Sequence, residues 1–306
     1  MDALMMENVS KSFGEVLAVN ELSVRVPAGS VYGFLGPNGA GKTTTIRMIM
    51  NIIRPDSGQI RIFENGVGLE QRQAANRIGY MPEERGLYRK MKVSKVLAFF
   101  GAIKGMKSIE LSQRVPQWLQ QVELADWANK KVEELSRGMH QKLQFAVTAI
   151  NNPELLILDE PFSGLDPVNQ DLLKDIICRM RDEGKTIIFS THVMHEAERL
   201  CDFILLINKG KTVLDGRLDD IRSRYKSGAV SVELEGDTSF IKVLPMVKTA
   251  ETQGRRIEIS LSEKADSQDL LKALVGRVRV KVFEVKMPSL HEIFVRLVGR
   301  DNVENS

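Results

Sequence analysis

Gly36-Pro37-Asn38-Gly39-Ala40-Gly41-Lys42-Thr43 completes the spacing G-x-x-x-x-G-K-[ST], and its setting decides how the rest of the chain is read. A short apolar run, Val31 to Leu35, precedes it, and a helical stretch, Thr44 to Asn51, follows. That strand–loop–helix context is what the motif requires. Glycines at these positions let backbone N–H groups turn inward around a polyphosphate without Cβ clashes. Lys42 supplies a point charge to the outer phosphates, and the Thr43 hydroxyl is of the kind that ligates Mg²⁺. The helix beginning near Thr44 adds the partial positive charge of its N-terminus. The stretch implies a nucleotide ligand.

A second element is Leu155-Leu156-Ile157-Leu158-Asp159-Glu160. Two adjacent carboxylates at the end of an apolar strand are costly to bury unless they have a cation or a proton to handle. Asp159 is placed to hold a Mg²⁺ water shell beside Thr43, and Glu160 to orient and deprotonate an attacking water. The plainer alternative is a pair of acids capping a strand at the surface. A third element, Leu135-Ser136-Arg137-Gly138-Met139, opens a helical run through Ile150, with Ser136 as a natural N-cap. It offers a second helix N-terminus to a phosphate.

Composition bounds the remainder. The 306 residues suffice for a full α/β domain and a smaller one. An apolar share of 43% and a charged share of 27% are those of an ordinary globular protein. A net charge of +3 gives no argument for nucleic acid. Apolar runs such as Leu155–Leu158 and Phe203–Ile207 fall far short of the roughly 18 residues a membrane span needs. The N-terminus has an early acid, Asp2, and no long apolar core, so it does not read as a signal peptide. Cys178 and Cys201 have no metal-type spacing and fit a reducing compartment. His192 and His195 lack the further ligands a metal site needs. The expectation is a cytoplasmic protein.

The patterning divides the chain. Strands are expected at Leu4–Val9, Val16–Val26, Val31–Leu35, Gln59–Phe63 and Ile78–Met81, and helices from about Val93 to Asn151. Strand and helix then alternate: Leu155–Leu158, a helix from Pro167 to Glu183 capped by Asp166, Thr186–Ser190, a helix Val193–Cys201, and a pair Phe203–Asn208 and Lys211–Leu214 turned at Lys209-Gly210. Such alternation predicts a parallel sheet covered by helices. Past about residue 218 the texture changes. Strands at Val230–Leu234, near Val247–Thr252, Ile257–Leu261 and Val278–Val285 join a short helix near Phe240–Met246 and helices at Ser267–Val275 and Pro288–Val298. This predicts a small ferredoxin-like α+β domain over 221–300, after a nucleotide-binding domain over 1–220 with a helical subdomain at about 86–151. Residues 301–306 read as a tail.

Gly36–Thr43, Leu135–Met139, Leu155–Glu160, Ser163-Gly164-Leu165-Asp166 and Ser190-Thr191-His192 occur in the order and spacing of ABC-transporter ATPase subunits, which the chain resembles over about residues 1–220. The resemblance implies an α/β P-loop NTPase of ABC type, with an antiparallel β subdomain and a helical subdomain. It implies ATP and Mg²⁺ as ligands, with ATP held by residues 36–44 through Thr44. Lys42 becomes the loop lysine, Thr43 and Asp159 the metal-side ligands, Glu160 the general base and His192 a γ-phosphate contact. Ser136, Arg137 and Gly138 would close over the nucleotide of a second copy, with Asp166 at that homodimer interface or simply capping its helix. Phe13 lies where the family stacks an aromatic ring on adenine, although a core phenylalanine is an alternative. Hydrolysis would drive a separate integral-membrane permease, placing the subunit on the inner face of the cell membrane, with no nucleic acid expected. A soluble relative acting on ribosomes or DNA, or a nucleotide-sensing regulator, competes with that reading. The single phosphate loop and the lack of sustained heptads weigh against the first, and Glu160 against the second.

Two departures stand out. Arg137 and Met139 occupy positions where the family has glycine and glutamine, and Glu83 stands at the position of a loop glutamine that touches the metal. Pro82-Glu83-Glu84-Arg85-Gly86-Leu87-Tyr88 and the appended C-terminal domain resemble a bacterial branch that includes sodium and drug exporters. The basic residues Arg85, Arg89, Lys90, Lys92 and Lys95 fall where that family meets its membrane subunit, or form a solvated face.

Overall fold

The computed structural model describes residues 1–64, 67–69, 77–84, 86–225, 228–262 and 265–304. It divides into two compact units, Met1–Arg217 and Leu218–Ser306. The break falls directly after the last strand of the first unit, which ends at Arg217, a few residues before the expected one.

The first unit contains two sheets. β1 (Asp2–Phe13), β2 (Val16–Pro27), β4 (Ser57–Glu64) and β5 (Val67–Leu69) form an antiparallel sheet in the order β2-β1-β4-β5. β1 runs well past the predicted Val9, carried through irregular register to its hairpin with β2. The second sheet has the order β10-β9-β3-β8-β7-β6, from β3 (Val31–Leu35), β6 (Ile78–Met81), β7 (Leu155–Asp159), β8 (Thr186–Thr191), β9 (Phe203–Asn208) and β10 (Lys211–Arg217). β9, β3, β8, β7 and β6 are mutually parallel, and β10 turns back antiparallel. Parallel strands are covered on both faces, so they read as unbroken apolar runs rather than alternating ones. β3, β7 and β8 are buried at every residue.

The main core joins the two sheets: Leu4, Met6 and Leu22 pack with Phe34, Ile157 and Ile188, none more than 1% exposed. Burying each such side chain contributes about 1.5–3 kcal/mol. Helix α1 (Lys42–Ile49) follows β3 and buries Ile46, Met48 and Ile49. The helical stretch expected over Val93–Asn151 resolves into α2 (Val93–Ile103), α3 (Ser108–Gln121) and α4 (Arg137–Ala149), with 3₁₀ turns at Ala125–Trp127 and Val132–Glu134. α5 (Pro167–Asp182) starts as predicted: the Asp166 carboxylate accepts the Asn169 N–H at 3.0 Å, with Pro167 at the first helical position. α6 (Met194–Leu200) follows β8.

The second unit begins with α7 (Leu218–Arg224). Its sheet is β12-β13-β11-β14, built from β11 (Ala229–Glu235), β12 (Val247–Gln253), β13 (Arg256–Leu261) and β14 (Arg279–Val285), with every neighbour antiparallel. That order, second-third-first-fourth, is the ferredoxin-like one. The expected helix near Phe240–Met246 is only a 3₁₀ turn, Ser239–Val243, since Pro245 removes the N–H that another turn would use. α8 (Ser267–Leu274) buries Leu270 and Leu274 against Val230, Val232 and Ile259. α9 (Leu290–Glu304) extends beyond the predicted Val298 into the segment read as a tail; Asn305 and Ser306 lie outside the described residues.

Candidate nucleotide site

Strand register decides which side chains meet. Leu35 pairs with Thr191, Asp159 with Ser190, and Met81 with Leu158. The loops after β3, β6, β7 and β8 therefore leave one edge of the sheet, and ligands of open α/β sheets bind outside that carboxyl edge. A cleft of about 350 Å³ opens there, lined by Ala18, Asn38, Gly39, Gly41, Lys42, Thr43, Thr44, Glu83 and Glu160.

The loop from Gly36 to Gly41 is shaped by backbone that side chains would obstruct. Gly41 has φ +108, and a Cβ there would come within 2.5 Å of the Ala18 carbonyl oxygen. Lys42, only 6% exposed, spans the loop: its ammonium donates to the Gly36 and Pro37 carbonyls at 2.8 and 3.1 Å. Burial lowers its pKa, while Glu160, Asp159 and Glu83 pull it back up.

Beside it, the Thr43 hydroxyl donates to Asp159 Oδ1 at 3.3 Å. The Ser190 hydroxyl also donates to that oxygen and accepts the Glu160 N–H at 3.1 Å. Among the described residues, Asp159 Oδ2 is buried with no hydrogen-bond partner. A buried carboxylate oxygen without a proton donor is costly, and a hydroxyl and a carboxylate side by side are the hard oxygen donors Mg²⁺ takes. The residues present fit that ion.

Glu160 holds a left-handed backbone, φ 49, which is uncommon for a side-chain-bearing residue and concentrates at functional turns. The Gln141 amide donates to the Glu160 and Pro161 carbonyls at 3.3 and 3.0 Å and braces the turn. The Glu160 carboxylate, 12% exposed, meets His192 Nδ1 at 2.9 Å. With Nδ1–H donating to the carboxylate, Nε2 remains for another partner.

Ser136, Arg137, Gly138, Asp166 and Phe13 are not among the residues lining this cleft. Ser136 caps α4, accepting the Met139 N–H at 3.3 Å, and is exposed, as is Arg137 beside it. The Arg137 side chain lies across Gly164, so Arg137, Gly138 and the Ser163–Asp166 stretch form one surface. Asp166 is an exposed helix cap, its pKa lowered by the Asn169 N–H. Phe13 is not among the residues lining the cleft; it is 51% exposed, which overturns the core alternative, and the Lys11 ammonium stands 5.6 Å from its ring centroid.

Several supporting residues escaped the sequence reading. Ser190 and Gln141 are two. A third is Glu196, 9% exposed, whose carboxylate accepts the Thr191 hydroxyl at 2.8 Å. Thr191 in turn accepts the Val193 N–H at 3.1 Å, which pins the turn carrying His192. Burial raises the Glu196 pKa, against the pull of that hydrogen bond. Nothing in the sequence separates Glu196 from Glu198 two residues on.

An uncharacterized ABC transporter ATP-binding protein of Bacillus subtilis is 39% identical over 300 residues, spanning 97% of this chain and 98% of the relative. The chain belongs to the ABC transporter ATP-binding proteins. The ABC transporter family matches residues 19–163, and the C-terminal domain of DrrA1-3-like ATP-binding proteins matches 216–298. The Nod factor export ATP-binding protein I of Rhizobium sp. (strain N33) is 36% identical over 304 residues, 98% of each chain. Among solved structures, an ATP-binding subunit of an ABC transporter superposes with TM-score 0.67 at 30% identity, covering 73% of this chain and 93% of its own. A nucleotide-free ATP-binding cassette, 20% identical over 73% of this chain and 94% of its own, shares the fold at TM-score 0.65. This ABC ATP-binding protein thus has its cassette in the first unit and a DrrA-like domain in the second. Among the described residues, no helix is long and apolar enough to cross a membrane.

Proposed function

We propose that this chain is the ATP-hydrolysing engine of an export system, working as a homodimer on a separate integral-membrane permease. The observation that carries the chemistry is the Glu160–His192 contact at the edge that also bears Lys42 and the Thr43–Asp159 pair. In this reading ATP lies along residues 36–44. Lys42 neutralises the outer phosphates, and Glu160 takes a proton from the water that attacks the γ-phosphorus in line. His192 orients the Glu160 carboxylate through Nδ1–H, and its imidazolium form, a donor at both nitrogens, also gives Nε2–H to a phosphate oxygen. Thr43 and Asp159 would hold Mg²⁺, which supplies charge stabilisation to the phosphate oxygens when bound. In this reading the Ser136–Gly138 turn, with Ser136 and Arg137 exposed, completes the pocket of the partner copy.

Export is supported by the names of relatives similar along their whole length. Permease docking is supported by a surface of the first unit. An apolar cleft of about 290 Å³, lined by Ile78, Tyr80, Pro82, Leu87, Phe100 and Val147, sits beside exposed Tyr88 and Phe99. The exposed cations Arg89, Lys90, Lys92 and Lys95 lie in the same stretch, while Arg85 lies outside the described residues. The aromatic and basic character suits a protein partner with an acidic, amphipathic segment.

The test is Glu160→Gln. General-base removal is expected to lower turnover about 10²–10⁴-fold while leaving ATP binding intact. The variant should form a stable dimer at saturating ATP, seen by sedimentation. A variant that turned over normally, or stayed monomeric with bound ATP, would refute the engine or the dimer respectively.

A further inference from the structure

A cleft of the second unit shares no residue with the nucleotide site. It measures about 820 Å³ and opens where the four strands end together. The register Val247↔Leu261, Ala229↔Ser260 and Val230↔Val285 sets the first residues of β11 and β12 beside the last of β13 and β14. Three cations line it: Lys248 from β12, Lys286 just after β14, and Arg296 from α9. Lys286 is held by Glu258 at 2.8 Å. Among the described residues, Lys248 and Arg296 have no carboxylate within ion-pair distance. Among the described residues the one lining carboxylate is Asp266, which accepts the Gln268 N–H at 2.9 Å as the cap of α8.

The walls are apolar where the rim is basic. Leu261 and Val230 form a buried floor, and Val285 is 44% exposed at the side. A second groove of about 400 Å³ shares Lys286 and Arg296 and adds Met287, itself 48% exposed. Glu292 of that groove likewise accepts the Ser289 N–H at 3.0 Å at the start of α9.

We infer that this cleft binds a small amphipathic anion, a carboxylate head on a short apolar body. Lys248 and Arg296, unpaired among the described residues, line one volume, where an anion is attracted to both. The volume lies within the range of small-molecule sites, and apolar lining with few polar groups is their usual make-up. A long polyanion is disfavoured, because the next row across the sheet is acidic: Glu251, Glu258 and Glu284 lie in register with Ser231. A simple inorganic anion would leave Val285 and Met287 uncovered. Nucleotide takes no part, so binding is read in its absence and fails or succeeds independently of the ATPase reading.

The probe is octanoate, titrated into the full chain by calorimetry, with octanol and inorganic phosphate as comparison ligands. Octanoate is expected to bind at least tenfold more tightly than either. The double variant Lys248→Gln/Arg296→Gln should lose at least tenfold in octanoate affinity. Both side chains are exposed, so the variant should keep its unfolding temperature and ATP affinity. Val285→Glu, which sets a carboxylate in the cleft, should abolish binding separately. Equal affinity for octanol would leave only an apolar groove and overturn the anion. Equal affinity for phosphate would overturn the apolar body. Undiminished octanoate binding in both variants would place the ligand elsewhere and end the proposal.

Discussion

Gly164→Ala is a small change with a cost the structure lets us work out. Gly164 has φ +76, a left-handed conformation that costs a side-chain-bearing residue about 1–2 kcal/mol. A Cβ at that position would stand 2.5 Å from Arg137 Nε and 3.1 Å from its Cδ and Cζ. The Arg137 side chain is long and exposed, so it swings away and adds little to the loss of stability. A domain of this size loses about 2–4 °C per kcal/mol, which puts the expected drop in unfolding temperature at about 2–8 °C. The steric part falls on function instead: displaced Arg137 leaves the surface proposed to close over the partner's nucleotide. ATP turnover by Gly164→Ala should then fall as far as in Arg137→Ala, and the double variant should fall no further. The assay is steady-state ATPase for the four proteins of the cycle, with thermal unfolding by circular dichroism alongside. Turnover losses that simply multiplied in the double variant would show that Gly164 and Arg137 act separately, and the reasoning would fail.

Glu83→Gln removes a negative charge from the cleft and should raise ATP affinity, by an effect on the order of 1 kcal/mol between partly solvated charges. It should also raise the Mg²⁺ concentration needed for half-maximal turnover, and superimposable Mg²⁺ curves would refute the placement. Burial lowers the Lys104 ammonium to about 8 from 10.5, while it donates to the Thr148 carbonyl and Asn151 Oδ1 at 3.1 and 3.0 Å. Between those values the unfolded chain binds more protons, so this residue's contribution to stability rises with pH. Urea midpoints from pH 8 to 9.5 should therefore climb more steeply in the native chain than in Lys104→Met; equal slopes would sink the assignment.

Much of this was legible because the parallel strands are short, wholly apolar runs that end in chemistry. Val31–Leu35 is bounded as predicted, and Leu155–Leu158 needs only Asp159 added to its end. Caps were legible for a related reason: Asp166-Pro167 and Ser136 announce helix starts through local hydrogen bonding alone. What depended on distant partners was not. β1 runs to Phe13 because β2 pairs with it that far, through a register that slips repeatedly. Ser190, Gln141 and Glu196 are ordinary polar residues until the sheet brings them to Asp159, Glu160 and Thr191. Phe13 decides a different alternative: at 51% exposed it is no core phenylalanine, which its apolar side chain alone could not say.

Of the residues that depart from the family's usual ones, Glu83 and Arg137 carry opposite charge, and in the proposed dimer they belong to one pocket. Glu83 lines the cleft with Lys42 and Glu160, where it adds negative potential close to the phosphates. Arg137 stands in the first turn of α4, where a cation opposes the helix dipole and costs about 0.3–1 kcal/mol. No carboxylate within ion-pair distance among the described residues offsets that cost, so the stability of the single chain gives no reason for arginine there. The proposed dimer would supply a reason. A guanidinium brought up by the second copy restores the positive charge that Glu83 takes away, and it does so only when the halves close. The pocket of one open chain is then poorer for a polyanion than the closed pair's. Electrostatics alone would therefore tie nucleotide affinity to closure more tightly than a glycine and a glutamine at these two positions could.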